Sequence, residues 1–266
     1  MVSTEEGIAI AEISVYIPIF ILTLIVVFRH GFRRQLGWIY LAIFCIIRLA
    51  GAGFKVASAN NPTNITDIEW SSILSSVGLS PLLMATLGLL KRVTDEVSNH
   101  SRSNSLPFSG GIIANVITKR ATANSRRSRV IQVALLPTTI ALILCVVGGI
   151  DESNSSPSEI SEGKKFTKIG VMIFFLIYIL LFSLVVITMK DVGNAPRGEK
   201  YVYLAVVGAL PLLAVRLLWS ILATFSNNSD FSLAGGKPLI QLFMAIVEEF
   251  IIVCFYTLVG LTIERN

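Results

Sequence analysis

The chain has 266 residues, 53% of them hydrophobic and only 15% charged, with a formal net charge of +5 and a mean hydropathy of +0.73. Soluble domains carry about a quarter charged residues, so the composition excludes a soluble globular enzyme and predicts an all-α, polytopic seven-transmembrane-helix bundle. The spans consume most of the length and leave no room for a separate catalytic domain, and the basic residues fall in alternate loops, a topology signal that speaks against a nucleic-acid partner.

A helical span needs about 20 mainly apolar residues. The first such run is about 8–28, preceded by Glu5 and Glu6 and by no Lys or Arg, so it is expected to stay uncleaved. It is followed by the basic stretch Arg29 to Arg34. The second run, about 38–57, contains Arg48 and Lys55; the third, about 70–90, is Ser-rich and contains Pro81. Lys91 to Arg129 reads as a long basic cytoplasmic loop with eight Lys and Arg residues and an apolar middle interrupted at Gly110-Gly111. The fourth run is about 131–150. The fifth, about 169–189, carries no charge and is expected to be the most lipid-facing. The sixth, about 201–225, contains Pro211 and Arg216, and the seventh, about 238–262, contains Glu248 and Glu249.

The loops after runs one, three and five, with the tail, hold 15 basic residues; the opposite loops hold Lys164, Lys165, Lys168 and Lys237. The positive-inside rule then places the N-terminus in the lumen or outside the cell and the C-terminus in the cytosol. Sequons at Asn64, Asn154 and Asn227 all fall on the outer side and are expected to be glycosylated. The cysteines Cys45, Cys145 and Cys254 lie in apolar runs, where a thiol is a small hydrophobe and no disulfide framework is expected.

The most costly residues are the ionisable ones inside the spans: Glu12, Glu248 and Glu249 against Arg48, Lys55 and Arg216. Each costs on the order of 2.5–3.5 kcal/mol at mid-bilayer unless it faces other helices, a partner or a cavity. The numbers balance. Depth suggests a central layer of Arg48, Arg216, Glu248 and Glu249, and an outer pair of Glu12 with Lys55. Adjacent residues point about 100° apart on a helix, so Glu248 and Glu249 are expected to address Arg48 and Arg216 separately. Two readings stay open. The pairs are structural staples that fix helix register, or they line a site that binds a hydrophobic small molecule or lipid, with Glu12, Arg48, Lys55 and Arg216 as ligand contacts. In the second reading one of Glu248 and Glu249 retains a proton and acts as a catalytic acid without metal or cofactor.

Sharper identities fail on missing residues. No Lys in the seventh run offers a Schiff base, no Asp lies in any run to gather magnesium, and His30 and His100, the two histidines, fall outside the apolar runs. Ile10-Ala11-Glu12, Ile47-Arg48-Leu49, Arg216-Leu217 and Val247-Glu248-Glu249 together resemble a group of fungal seven-span integral membrane proteins of uncharacterised function. Such proteins are similar in size and topology to fungal lipid-translocating exporters, and some small multispanning fungal proteins are cyclases of secondary metabolism. The Asn-Trp-Glu pattern of the terpene cyclases among them is absent here. The resemblance leaves three functions open: a cyclase or isomerase, a lipid or drug-resistance transporter, and a seven-helix sensor.

Overall fold

The computed structural model describes residues 4–30, 36–61, 64–103, 112–153, 156–193, 195–226 and 238–263. They form helices α1 (Thr4–His30), α2 (Leu36–Asn60), α3 (Ile65–Val77), α4 (Leu79–Ser103), α5 (Ile112–Ser153), α6 (Pro157–Val192), α7 (Arg197–Phe225), α8 (Pro238–Gln241) and α9 (Val247–Thr262), with a π-helical turn at Leu242–Ile246 between the last two. Seven helical stretches are long and apolar enough to cross a membrane: α3 and α4 act as one crossing, Thr66–Val97, and α8, the π turn and α9 as another, Pro238–Thr262.

The third crossing is the axis of the bundle. Its most apolar window is 94% buried, whereas the other six range from 28% to 50%. Small side chains make this possible, because without a hydrophobic drive between helices in lipid, close van der Waals packing carries the association. Gly37 of α2 and Gly88 of α4 illustrate it: a Cβ built on Gly88 would stand 2.6 Å from the Gly37 Cα. Several hydroxyls on this axis are satisfied locally or by a neighbour, whereas Ser80 Oγ is buried without a partner. Ser75 Oγ donates to the Ser71 carbonyl at 2.7 Å, and Thr86 Oγ1 shares a 2.9 Å hydrogen bond with the Tyr256 hydroxyl of α9. Pro81 offers no N–H to the Val77 carbonyl, and the helix breaks at Gly78, between α3 and α4.

The outer helices pack through single stripes. In α1 the buried residues are Ala9, Glu12, Tyr16, Ile19, Thr23, Val26 and Val27, a three-and-four spacing that puts them on one face. In α9 they are Glu249, Ile252, Val253, Tyr256, Thr257 and Gly260. These two stripes meet at one end of the bundle, where Thr23 and Thr257 hydroxyls lie 3.1 Å apart, Arg29 Nη1 donates to the Leu261 carbonyl at 2.7 Å, and His30 Nε2 meets the Gly260 carbonyl at 2.8 Å. Arg29 and His30 thus cap the C-terminus of α9, where carbonyls lack helical partners and cations are favoured.

Two expectations are corrected. The stretch Lys91 to Arg129 is mostly helix rather than loop: α4 runs on to Ser103 and α5 begins at Ile112. Charge ends an apolar window, but it does not end a hydrogen-bond ladder, and α5 at 42 residues is roughly 60 Å long, about twice the hydrocarbon thickness. The break at Gly110-Gly111 lies outside the described residues. Second, the fourth crossing and not the fifth shows most surface, at 28% against 39% buried. The fifth is held on one side by a close seam with α5, where a Cβ on Gly170 would lie 2.5 Å from Cys145 Sγ and one on Gly163 would lie 2.6 Å from the Gly148 carbonyl oxygen. Cys45 and Cys145 are buried free thiols and Cys254 is a half-buried one.

Candidate functional site

The charged residues converge beside Gly78. Glu249, fully buried on α9, is clasped by two arginines: Arg216 Nε of α7 donates to its Oε1, and Arg48 Nη2 of α2 is paired with its Oε2. Arg216 spends its remaining donors on Ser220 Oγ at 2.6 Å and on the Ser75 carbonyl at 3.3 Å, one turn before the break in the central helix. Its guanidinium lies 5.0 Å from the Trp219 ring centre, and that of Arg48 lies 5.7 Å from the ring centre of Phe44, cation–π contacts that replace some of the hydration lost on burial. Gly78 is the floor of this arrangement; a Cβ there would stand 2.8 Å from Arg48 Nη2 and 3.0 Å from Glu249 Oε1.

Beyond Arg48 the cluster loosens. Glu12 Oε1 of α1 lies 3.6 Å from Arg48 Nη1, an ion pair without a hydrogen bond, and that oxygen is buried with no hydrogen-bond partner. One turn along, the Tyr16 hydroxyl is also buried and unpartnered, although its ring packs at 6.1 Å from Phe44 and edge-on at 6.2 Å from Phe250. Glu12 and Tyr16 are 5% and 1% exposed. Buried polar atoms are rarely left unpaired, because each costs about 1–3 kcal/mol.

Both residues line a cavity of about 360 Å³ between α1 and the seventh crossing, walled by Thr4, Gly7, Ile8, Ala11 and Val15 on one side and by Leu242, Ile246, Val247 and Phe250 on the other. The helices that are clamped together by Thr23–Thr257 at one end therefore part at the other. The π turn Leu242–Ile246 forms part of the wall, and such turns recur at functional sites because they widen a helix locally. A second space, lined by Trp219, Ser220, Cys145 and Thr167 among others, measures about 20 Å³, room for about one water molecule and for no larger ligand.

The structure brings Glu12, Arg48, Arg216 and Glu249 into one cluster and gives two further residues different places from those expected. Glu248 does not share the arginines with Glu249. It lies off the buried stripe of α9, half-buried, with no ion pair to a described residue and with Oε2 unpartnered. Lys55 makes no ion pair with Glu12, but stands close enough to act on it electrostatically. Neither Glu248 nor Glu249 lines the cavity; the acid that does is Glu12. Tyr16, Phe44, Trp219 and Ser220 were not anticipated, yet each sits three or four residues from a charged member, at the spacing that puts two side chains on one helix face. Among the described residues no three His, Cys, Asp or Glu side chains converge as a metal site would require, and the carboxylates that do meet are bracketed by arginine. Of the sequons, Asn64 is exposed at the start of α3, with its side-chain amide donating to Asp67 Oδ2 at 2.8 Å, while Asn154 and Asn227 lie outside the described residues.

No curated protein and no solved structure matches this chain. A family model described as a domain of unknown function, DUF7702, matches residues 2–117 and 108–266. Those two stretches together span nearly the whole chain, and the protein belongs to the DUF7702 family.

Proposed function

We propose that this protein binds a hydrophobic small molecule or lipid in the cavity between α1 and the seventh crossing, with Glu12 and Tyr16 as its polar contacts and Arg48 behind them. One observation carries the reading: Glu12 and Tyr16, two buried residues whose polar atoms lack hydrogen-bond partners, line a space whose other side chains, Thr4 apart, are apolar. A binding site has that form, apolar walls with a few placed polar groups and a volume within about 300–1,000 Å³.

Binding is favoured over conversion. Glu249 has both carboxylate oxygens committed to arginines, which makes it a clamp between α2, α7 and α9 rather than an acid ready to give a proton. Glu248 lies outside the arginine pairs but does not line the cavity, so an acid-catalysed isomerisation or cyclisation in this cavity would fall to Glu12, already paired with Arg48. Transport or sensing draws support from a different feature, the interrupted hydrogen-bond ladder of the central helix at Gly78, whose backbone stays helical, against the charge cluster, a place where a change in the cluster would be felt by the axis of the bundle. The orientation proposed is that of the positive-inside rule, with the start of α1 and Asn64 outside and the helical extensions of α4 and α5 in the cytosol.

The test is native mass spectrometry of the full chain purified in mild detergent. A bound small molecule that recurs across preparations and is absent from a Gly7→Phe variant supports the reading, since Gly7 belongs to the cavity wall and a side chain added there meets no heavy atom within 4 Å. The same molecules in both proteins refute it.

A further inference from the structure

Resting on that reading, we infer that the ligand is a neutral amphiphile whose single polar group is a hydroxyl, held between Glu12 and Tyr16, with its hydrocarbon body along the apolar walls. Glu12 and Tyr16 are four residues apart on α1 and so project from the same face. Glu12 Oε1 is an acceptor without a donor, and the Tyr16 hydroxyl is both donor and acceptor without either partner. A ligand hydroxyl meets both needs at once, donating to the carboxylate and accepting from the phenol.

Charge weighs against the alternatives. Glu12 and Glu249 pair with Arg48 and Arg216 within the cluster, and Lys55 is a third cation that acts on Glu12. A primary ammonium would come into the field of Arg48 and Lys55, and a carboxylate or phosphate held between Glu12 and Tyr16 would bring a second negative charge against Glu12. A neutral hydroxyl meets neither opposition. Thr4 at the start of α1 apart, the remaining walls, from Ile8, Ala11 and Val15 to Leu242, Ile246 and Phe250, are apolar.

The experiment measures saturable binding of tritiated dodecanol to the full chain in detergent micelles, competed by unlabelled dodecanol, dodecanoic acid, dodecylamine and dodecane. Dodecanol should bind and compete with itself, the acid and the amine should compete at least about tenfold more weakly, and Tyr16→Phe should weaken binding about tenfold, the size of one lost hydrogen bond. Thermal stability without ligand should not fall in Tyr16→Phe, because the hydroxyl has no partner to lose; a merely structural tyrosine would show the reverse pattern. Gly7→Phe should abolish binding. If the acid or the amine competes as well as dodecanol, or Tyr16→Phe binds normally, the hydroxyl assignment is overturned while the cavity remains a site. If no saturable binding is seen, or Gly7→Phe does not affect it, both the assignment and the site are overturned.

Discussion

Arg216 and Glu249 are both fully buried, and the arginine Nε donates to one carboxylate oxygen while Arg48 occupies the other. Taking such groups out of water is repaid only if every charge keeps a partner. Glu249→Gln leaves Arg216 without an ion pair and Arg48 with Glu12 alone at the centre of the bundle, and is expected to cost about 3–5 kcal/mol. Thermal unfolding of the full chain in detergent measures it. Arg216→Gln added to Glu249→Gln should cost clearly less than the sum of the two single changes, because the second removes a charge the first left unpaired.

Glu248→Gln is expected to behave differently, destabilising far less than Glu249→Gln or not at all, because it removes no ion pair to a described residue. Measured beside Glu249→Gln in the same detergent, it reports which of two adjacent acids the bundle depends on. Equal losses would contradict the geometry.

The seven crossings and the burial of Arg48, Arg216 and Glu249 together were legible because an apolar run long enough to cross a bilayer makes every charge within it conspicuous, whereas Glu12, expected beside Lys55 in an outer pair, joins Arg48 instead. Which of Glu248 and Glu249 pairs was not legible, since two neighbours on a helix differ only in face. The face was nevertheless encoded: Glu249 shares its stripe with Tyr256, Thr257 and Gly260, small or hydroxyl-bearing residues that suit a helix contact, whereas Phe255 and Leu258 lie outside it and are exposed. The cavity was illegible, because it arises where α1 and the last crossing diverge, and the π turn in its wall has no sequence signature of its own.

Gly78→Ala is expected to destabilise by about 1–3 kcal/mol, the usual cost of forcing an extra methyl into a packed core. The added carbon would stand 2.8 Å from Arg48 Nη2, so the guanidinium or the helix must move. Gly53 of α2 is the control: nothing lies within 4 Å of its Cβ direction, and Gly53→Ala should be neutral or stabilising by up to about 1 kcal/mol, the helix-propensity gain. Urea or thermal titration of both variants checks the pair.

Asn64 sits exposed at the start of α3, at the same end of the bundle as the start of α1. With that end outside, the wild-type chain expressed in a glycosylating host should carry a glycan at this position. Peptide mass mapping after glycosidase treatment should find Asn64 converted to Asp, and Asn64→Gln should run faster on a gel by one glycan. An unmodified Asn64 together with a glycan at Asn99, in the sequon Asn99-His100-Ser101 on the opposite side, would reverse the proposed orientation.

The central claim is that the space between α1 and the seventh crossing holds a particular apolar molecule beside Glu12 and Tyr16. Its most direct test is photocrosslinking in native membranes from a benzophenone amino acid placed at Val15, in the cavity wall, and separately at Leu204, an exposed residue of α7. Mass spectrometry of the adducts should find one small molecule enriched at position 15, absent at position 204 and lost on adding Gly7→Phe. The same mixture of bulk lipids at both positions would contradict the account.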